Sequence, residues 1–317
     1  MNERDRIACI EATLNAGRDP RAQGLALDDD AFFDPNDRRI YTTDLLVEGR
    51  HFDRRWSSPA DIAWKAAAVN ISDIAAMGGR LTYLLVSLGL TEADDARFLE
   101  PFYASLATIC RQFGGRVIGG DTVGADQLII NVAAVGELPI EHTLGRRSQA
   151  MPGDAVICTG FHGMSAVGLQ AFQRDIAGYE ACRLAHLRPT PRQSEALKLS
   201  RLFSRYSLMD SSDGLADAAL KIAAASGVRL ELAEEWLPMH PQVSQFADGH
   251  GRSAAELALY GGEDFELIAT VPVTAFLPKG FTVIGRVREG APEAVWLPRN
   301  GAQWEALSFD KTWRHFQ

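Results

Sequence analysis

Apolar and polar positions alternate from Arg39 to Leu46, the period-two pattern of a strand covered on one side, and this strand delivers Thr42, Thr43 and Asp44 at its far end. Ser58 precedes Pro59, with Asp61 three residues after the serine, which is a helix start with a capping partner. The pattern then turns helical and stays apolar until Met77, where Gly78 and Gly79 mark a C-terminal stop. Leu81 to Leu88 reads as a buried strand. Thr91, with Asp94 three residues on, predicts a second helix carrying Phe98, Phe102, Leu106 and Phe113 and ending at Gly114 and Gly115. A short strand at Val117 and Ile118 leads into a Gly119-Gly120-Asp121 turn, and Leu128 to Val135 is the next strand.

A polar stretch from Glu141 to Gly153 follows and predicts a domain junction, giving domains at 1–148 and 149–317. Beyond it, strands are expected at Ala155–Cys158, Val228–Leu232 and Phe265–Val271, with Met209–Asp213 as a strand-end turn. Helices are expected at Met164–Arg174, after Pro191 through Phe203, and at Leu215–Ser226. Helices and strands alternate in both halves, so the fold class is α/β or α+β.

The length of 317 residues suits two domains of ordinary size. A formal charge of −9 argues against nonspecific nucleic-acid binding, which needs a basic footprint, but leaves ATP open because metal ions can carry the positive charge. No apolar run approaches the roughly 18–20 residues that cross a bilayer, and the N-terminal stretch does not read as a secretory signal. The four cysteines are scattered, without a metal-binding spacing, and Cys110 and Cys158, in apolar surroundings, read as reduced core residues. A cytoplasmic enzyme is expected.

Candidate chemistry is first narrowed by what is missing. No P-loop, kinase catalytic-loop set, dinucleotide fingerprint, nucleophile elbow or zinc-helix motif occurs, and the seven histidines lack helical metal spacing. Oxygen donors remain. Asp73 lies in an otherwise apolar helical end, where a carboxylate is costly to bury unless a cation or donor meets it. Asp30, Asp44, Asp121, Asp210 and Asp213 stand singly at other strand or helix ends, a pattern suited to divalent metal around a polyphosphate. Each of them alone reads more simply as a turn or cap residue; the group is the stronger signal. Gly119-Gly120-Asp121-Thr122 and Gly261-Gly262-Glu263-Asp264 add two glycine turns joined to carboxylates, places where backbone can approach a ligand.

Taken in order, Asp28-Asp29-Asp30, Thr42 through Phe52, Trp64-Lys65-Ala66 through Gly79, Gly119 through Thr122, Ser211 through Leu215 and Gly261 through Leu267 resemble the thiamine-monophosphate kinase family over nearly the whole chain. The block ending Ser72 to Gly78 is similar to the wider aminoimidazole-ribonucleotide-synthetase-like group of ATP enzymes. The resemblance implies a two-domain subunit, an N-terminal domain that dimerises and a C-terminal α+β domain, in a homodimer. It implies transfer of phosphate from ATP to thiamine phosphate, giving thiamine diphosphate, with several Mg²⁺ ions required. By position it implies Asp30, Thr42, Thr43, Asp44, Asp73, Asp121, Asp210 and Asp213 as metal ligands. Tyr103, Gly120, Asp121, Arg147 and Ser212 would face ATP, and His51, Glu263 and Trp313 would hold thiamine phosphate. No general base is assigned, because the acceptor phosphate is already ionised.

The chain departs from the family pattern at Asp28, where glycine is usual. Without the resemblance His51 reads equally as a turn histidine, Tyr103 as a core aromatic and Trp313 as a packed tail residue. Sibling enzymes fit less well. Cys9 lacks the setting of a selenophosphate-synthetase nucleophile, no cysteine follows Cys182 as the hydrogenase-maturation relative requires, and the purine-pathway relative fits the His51 and Glu263 blocks poorly. A noncatalytic metal-binding protein is the alternative from another class, although EF-hand spacing is missing.

Overall fold

The computed structural model describes residues 3–15, 29–273, 276–299, 301 and 303–312. Asp28 and Trp313 lie outside the described residues. The first half of the chain runs α1 (Glu3–Asn15), β1 (Phe32–Asp34), β2 (Arg39–Val47), α2 (Pro59–Ala76), β3 (Arg80–Leu90), α3 (Ala96–Phe113), β4 (Arg116–Gly124) and β5 (Ile129–Glu137). The second half runs β6 (Ala155–Thr159), α4 (Met164–Gln173), α5 (Glu180–Leu187), α6 (Gln193–Leu202), β7 (Ser207–Asp210), α7 (Leu215–Ser226) and β8 (Arg229–Ala233). It ends with α8 (Pro241–His250), α9 (Ala254–Tyr260), β9 (Leu267–Val271), β10 (Phe281–Arg288), β11 (Glu293–Leu297) and β12 (Glu305–Ala306).

The described residues form two mixed sheets. The first has the order β1-β2-β5-β3-β4, and the second β12-β11-β8-β10-β6-β9-β7. Among the described residues only β3 with β4 and β8 with β11 pair in parallel; every other neighbouring pair of strands is antiparallel. Among the described residues no helix is long and apolar enough to cross a membrane.

Helix α2 is the element shared by both halves. Its start is the expected capping box, with Ser58 and Asp61 bonded reciprocally and Pro59 in the first turn. Ile62, Ala66, Ala67 and Ile71 pack into the core beneath the first sheet, while Ala75 and Ala76 join Ile157, Leu199, Tyr206 and Leu267 of the second half. The helix stops at Gly78, whose φ of +78° suits glycine, and a Cβ there would collide with the Tyr206 hydroxyl.

Three sequence expectations shift. Helix α3 is capped by Asp95, whose side chain accepts from Arg97 N, while Asp94 closes a turn on Thr91 and pairs with Arg54. The expected Gly119-Gly120-Asp121 turn is the middle of β4, because the parallel partner β3 continues to Leu90 and carries the pairing with it. A Cβ on Gly120 would strike the Val86 carbonyl, so the close backbone approach this glycine permits is to the neighbouring strand. Strand β9 begins at Leu267 because Glu263 and Phe265 both adopt positive φ.

Candidate functional site

Side chains on β2 alternate between faces, so adjacent Thr42 and Thr43 point to opposite sides. Ile40 and Leu46 are buried toward α2, and on the same side Thr42 donates its hydroxyl to Asp73 Oδ2 at 2.6 Å. Asp44 shares that side and repels the Asp73 carboxylate. Thr43 faces the uncovered side of the sheet, donating to the Val132 carbonyl and accepting from Asn131.

Asp73 lies in the last turn of α2, beside Ser72, whose hydroxyl donates to Asp210 Oδ2 at 2.6 Å. Asp210 ends β7, and Asp30 enters from the loop before β1. One carboxylate oxygen each of Asp30, Asp73 and Asp210 lies within 4.8 Å of the others. Crowding of like charges away from water disfavours ionisation. Burial, then Asp44 and Asp210, pushes the Asp73 carboxyl well above its ordinary range, and burial with Asp30 pushes Asp210 up to about 7. Asp29 is pushed up to about 6 by burial and Asp30, against the pull of Arg147.

Arg147, in a single 3₁₀ turn after the first sheet, is the cation beside this cluster. Its guanidinium bonds Asp30 Oδ1 at 2.7 Å and lies 3.8 Å from Asp29. Burial works against its charge, but Asp30 and Asp29 overrule it. Ser212 and Asp213 continue from Asp210 into the turn before α7, and Lys221 of α7 reaches Asp213 at 3.4 Å and Asp217 at 2.6 Å.

The structure thus gathers Asp30, Asp73 and Asp210 with Thr42, Asp44 and Arg147 about them, and Ser212 and Asp213 next along the chain. It does not bring Thr43, Asp121, Gly120 or Tyr103 to this cluster within one chain. Asp121 is exposed and registers with Ser87 of β3, three strand positions from β2 and so roughly 14 Å across the sheet. Tyr103 is 38% exposed on α3, edge-on to the fully buried Phe102.

Of the remaining expected contacts, His51 and Glu263 wall a cavity of about 840 Å³ between the halves, lined by His51, Phe52 and Trp56 on one side and Gln170, His186 and Glu263 on the other. The Nδ1 of His51 accepts from Val47 N at 3.0 Å, so part of its role is to close its own turn. Glu263 has a φ of +65°, donates its N–H to the Ser212 carbonyl at 2.6 Å and accepts from Lys65 Nζ at 3.1 Å. Asp264 turns the other way: its carboxylate receives Gly163 N and Ser165 N at the start of α4, and burial pushes it up to about 7.

Sequence reasoning missed Lys65, His186, Ser72 and Lys221. Lys65 carried the same signal as Asp73, an ionisable group in an apolar helix. His186 and Ser72 carried none, because their importance comes from chain segments far away in sequence.

Residues 27–138 match the model of the AIR synthase related protein, N-terminal domain. The thiamine-monophosphate kinase of Aquifex aeolicus (strain VF5) is 36% identical over 282 residues, covering 87% of this chain and 88% of that one. That of Bacillus subtilis (strain 168) is 36% identical over 296 residues, covering 88% and 89%. A solved structure of AaThiL complexed with AMPPCP and TMP superposes with a TM-score of 0.85 at 31% identity, covering 99% of this chain and 97% of that one. The expected fold, that of the aminoimidazole-ribonucleotide-synthetase-like proteins, is borne out.

Proposed function

The chain belongs to the thiamine-monophosphate kinase family, and we propose from that membership that it transfers the terminal phosphoryl group of ATP to thiamine phosphate, giving thiamine diphosphate and ADP. One juxtaposition carries the reading. The acidic cluster ends on Asp210, and two residues later the Ser212 carbonyl accepts from the backbone of Glu263, which walls the cavity. A nucleotide-phosphate site and an acceptor pocket therefore share one stretch of backbone.

The cluster's donors are all carboxylate or hydroxyl oxygens, the set Mg²⁺ prefers, and their mutual repulsion is what a cation would relieve. Asp30, Asp73 and Asp210, with Thr42, Asp44 and Asp213 around them, would hold Mg²⁺, which when bound supplies charge neutralisation between two phosphate anions. Phosphoryl transfer needs positioning more than covalent help, and an ionised acceptor needs no general base. Arg147 offers a planar donor fork suited to phosphate oxygens. Glu263 faces the cavity as a fixed carboxylate that complements the cationic thiazolium. His51 lines the same wall, and Trp313 remains assigned to the acceptor by resemblance.

The homodimer belongs to the same proposal. Tyr41, Leu45, Leu85, Ile118 and Val123 leave an exposed apolar face on the first sheet, opposite α2, which supports pairing there. Thr43 and Asp121 stand on that face, Gly120 lies in its edge strand β4, and Tyr103 stands on α3, which packs on the α2 side beneath it. We assign their contribution to the nucleotide site across the interface, because one chain holds them away from its own cluster. Leu45→Glu is expected to dissociate the dimer at micromolar concentration; sedimentation that still gives the dimer mass would remove this face from the interface. A domain boundary between 148 and 149 is supported by all strands of the first sheet ending by Glu137 and those of the second beginning at Ala155. Cytoplasmic placement is supported by four free cysteines.

The test is incubation with ATP, Mg²⁺ and thiamine phosphate, followed by chromatography for thiamine diphosphate. Failure to form it, or ATP consumption only with a formylglycinamidine-type substrate, would overturn the reading.

A further inference from the structure

Lys65 lies in the middle of α2 and is 2% exposed, a place where an ammonium is costly unless it is paired. It has two partners from opposite halves of the chain. Its Nζ donates to the His51 carbonyl at 2.9 Å and to Glu263 Oε2 at 3.1 Å. Both of those residues wall the cavity, while Lys65 itself is not among its lining groups.

Glu263 needs holding. Its φ of +65° is a left-handed conformation that an L-residue adopts only under constraint, and Phe265 two residues on repeats it at +52°. The backbone is pinned on both sides, by Glu263 N to Ser212 and by the Asp264 carboxylate to the start of α4. The side chain, 26% exposed, meets only one lasting cation among its described neighbours, Lys65. His186 Nδ1 stands 3.5 Å from the same oxygen, but burial and the nearby ammonium hold its pKa well below the ordinary value, and Ser165 Oγ occupies that nitrogen at 3.0 Å.

We propose that Lys65 is a positioning residue of the acceptor site: its buried ammonium ties the His51 turn to the Glu263 carboxylate and so sets both walls that receive thiamine phosphate. The inference rests on the phosphoryl-transfer reading above and names what orients that site. Lys65 acts through Glu263 and His51 and touches no reacting atom.

A double-mutant cycle with steady-state kinetics tests it. Lys65→Met is expected to raise the KM for thiamine phosphate about tenfold or more, as for a lost hydrogen bond to a charged group, with kcat and the KM for ATP within about twofold. Glu263→Gln is expected to act in the same direction, and adding Lys65→Met in the Glu263→Gln background to change KM by less than about twofold. That last comparison decides the matter even where Lys65→Met alone fails to fold, since it removes both charges together. An unchanged KM in Lys65→Met, equal losses in the KM for ATP, or effects that multiply through the cycle would each overturn the proposal. A wild-type chain that leaves thiamine phosphate unconverted overturns the functional reading and this inference with it; a competent wild type with an unaltered Lys65→Met overturns this inference alone.

Discussion

Lys65 and Asp73 sit eight residues apart on α2, roughly 12 Å along its axis, and each is an ionisable group in an apolar helix. Lys65 meets a carboxylate and a carbonyl, so its charge is matched within the chain. Asp73 meets one hydroxyl and three other carboxyls, Asp44, Asp210 and Asp30, so its charge is opposed. The same cost of burying a charge has been met in two ways. A matched buried charge organises neighbouring segments, whereas a crowd of like charges is organised around something the chain does not itself contain. This separates a positioning residue from a candidate metal ligand more sharply than burial does.

The largest way to break the comparison is Asp73→Asn. An amide is a poorer Mg²⁺ ligand than a carboxylate, so turnover is expected to fall about 10²–10³-fold. Melting without Mg²⁺ should be unchanged or higher, because one repelling charge is gone. Near-normal turnover would return Asp73 to the role of a buried polar residue satisfied by Thr42.

Next comes the end of the helix that carries it. Gly78→Ala puts a Cβ at positive φ and against Tyr206, and is expected to cost about 2–3 kcal/mol in denaturant unfolding. A loss below about 1 kcal/mol would mean that the stop of α2 adapts, and that Asp73 is placed less rigidly than Lys65.

The smallest effect sharpens the electrostatic half. Burial and Asp30 push the folded Asp210 carboxyl up to about 7 from the ordinary 3.8, so folding takes up a proton between those values. Stability from this group is therefore present at low pH and lost as pH rises toward and through about 7. Without Mg²⁺, the wild type is expected to lose about 2 kcal/mol between pH 5 and 8 relative to Asp210→Asn, measured by chemical denaturation. Parallel curves for the two proteins would show that the cluster's carboxyls do not oppose one another.

Much of the N-terminal architecture was legible from local pattern. The Ser58–Asp61 cap, the Gly78 stop and the alternation in β2 are all decided by residues within a few positions of one another. The same alternation already separates Thr42 from Thr43, since neighbours on a strand cannot share a face. Asp121 was harder. Its glycines read as a turn, and only the pairing of β4 along β3 makes that segment extended.

Local spacing and composition thus determined α2, α3, α4, α6 and α7, most strands and the oxygen-rich character of the site, because capping, periodicity and charge are properties of short segments; α1, α5, α8 and α9 were not among the helices expected from sequence. Tertiary structure alone decided which carboxyls meet. Asp30, Asp73 and Asp210 come from a loop, a helix end and a strand end far apart in the chain, and their 4.8 Å convergence depends on α2 serving both sheets. It also decided that Lys65 reaches Glu263, since a buried charge announces its cost in the sequence but finds its partner only when distant segments pack.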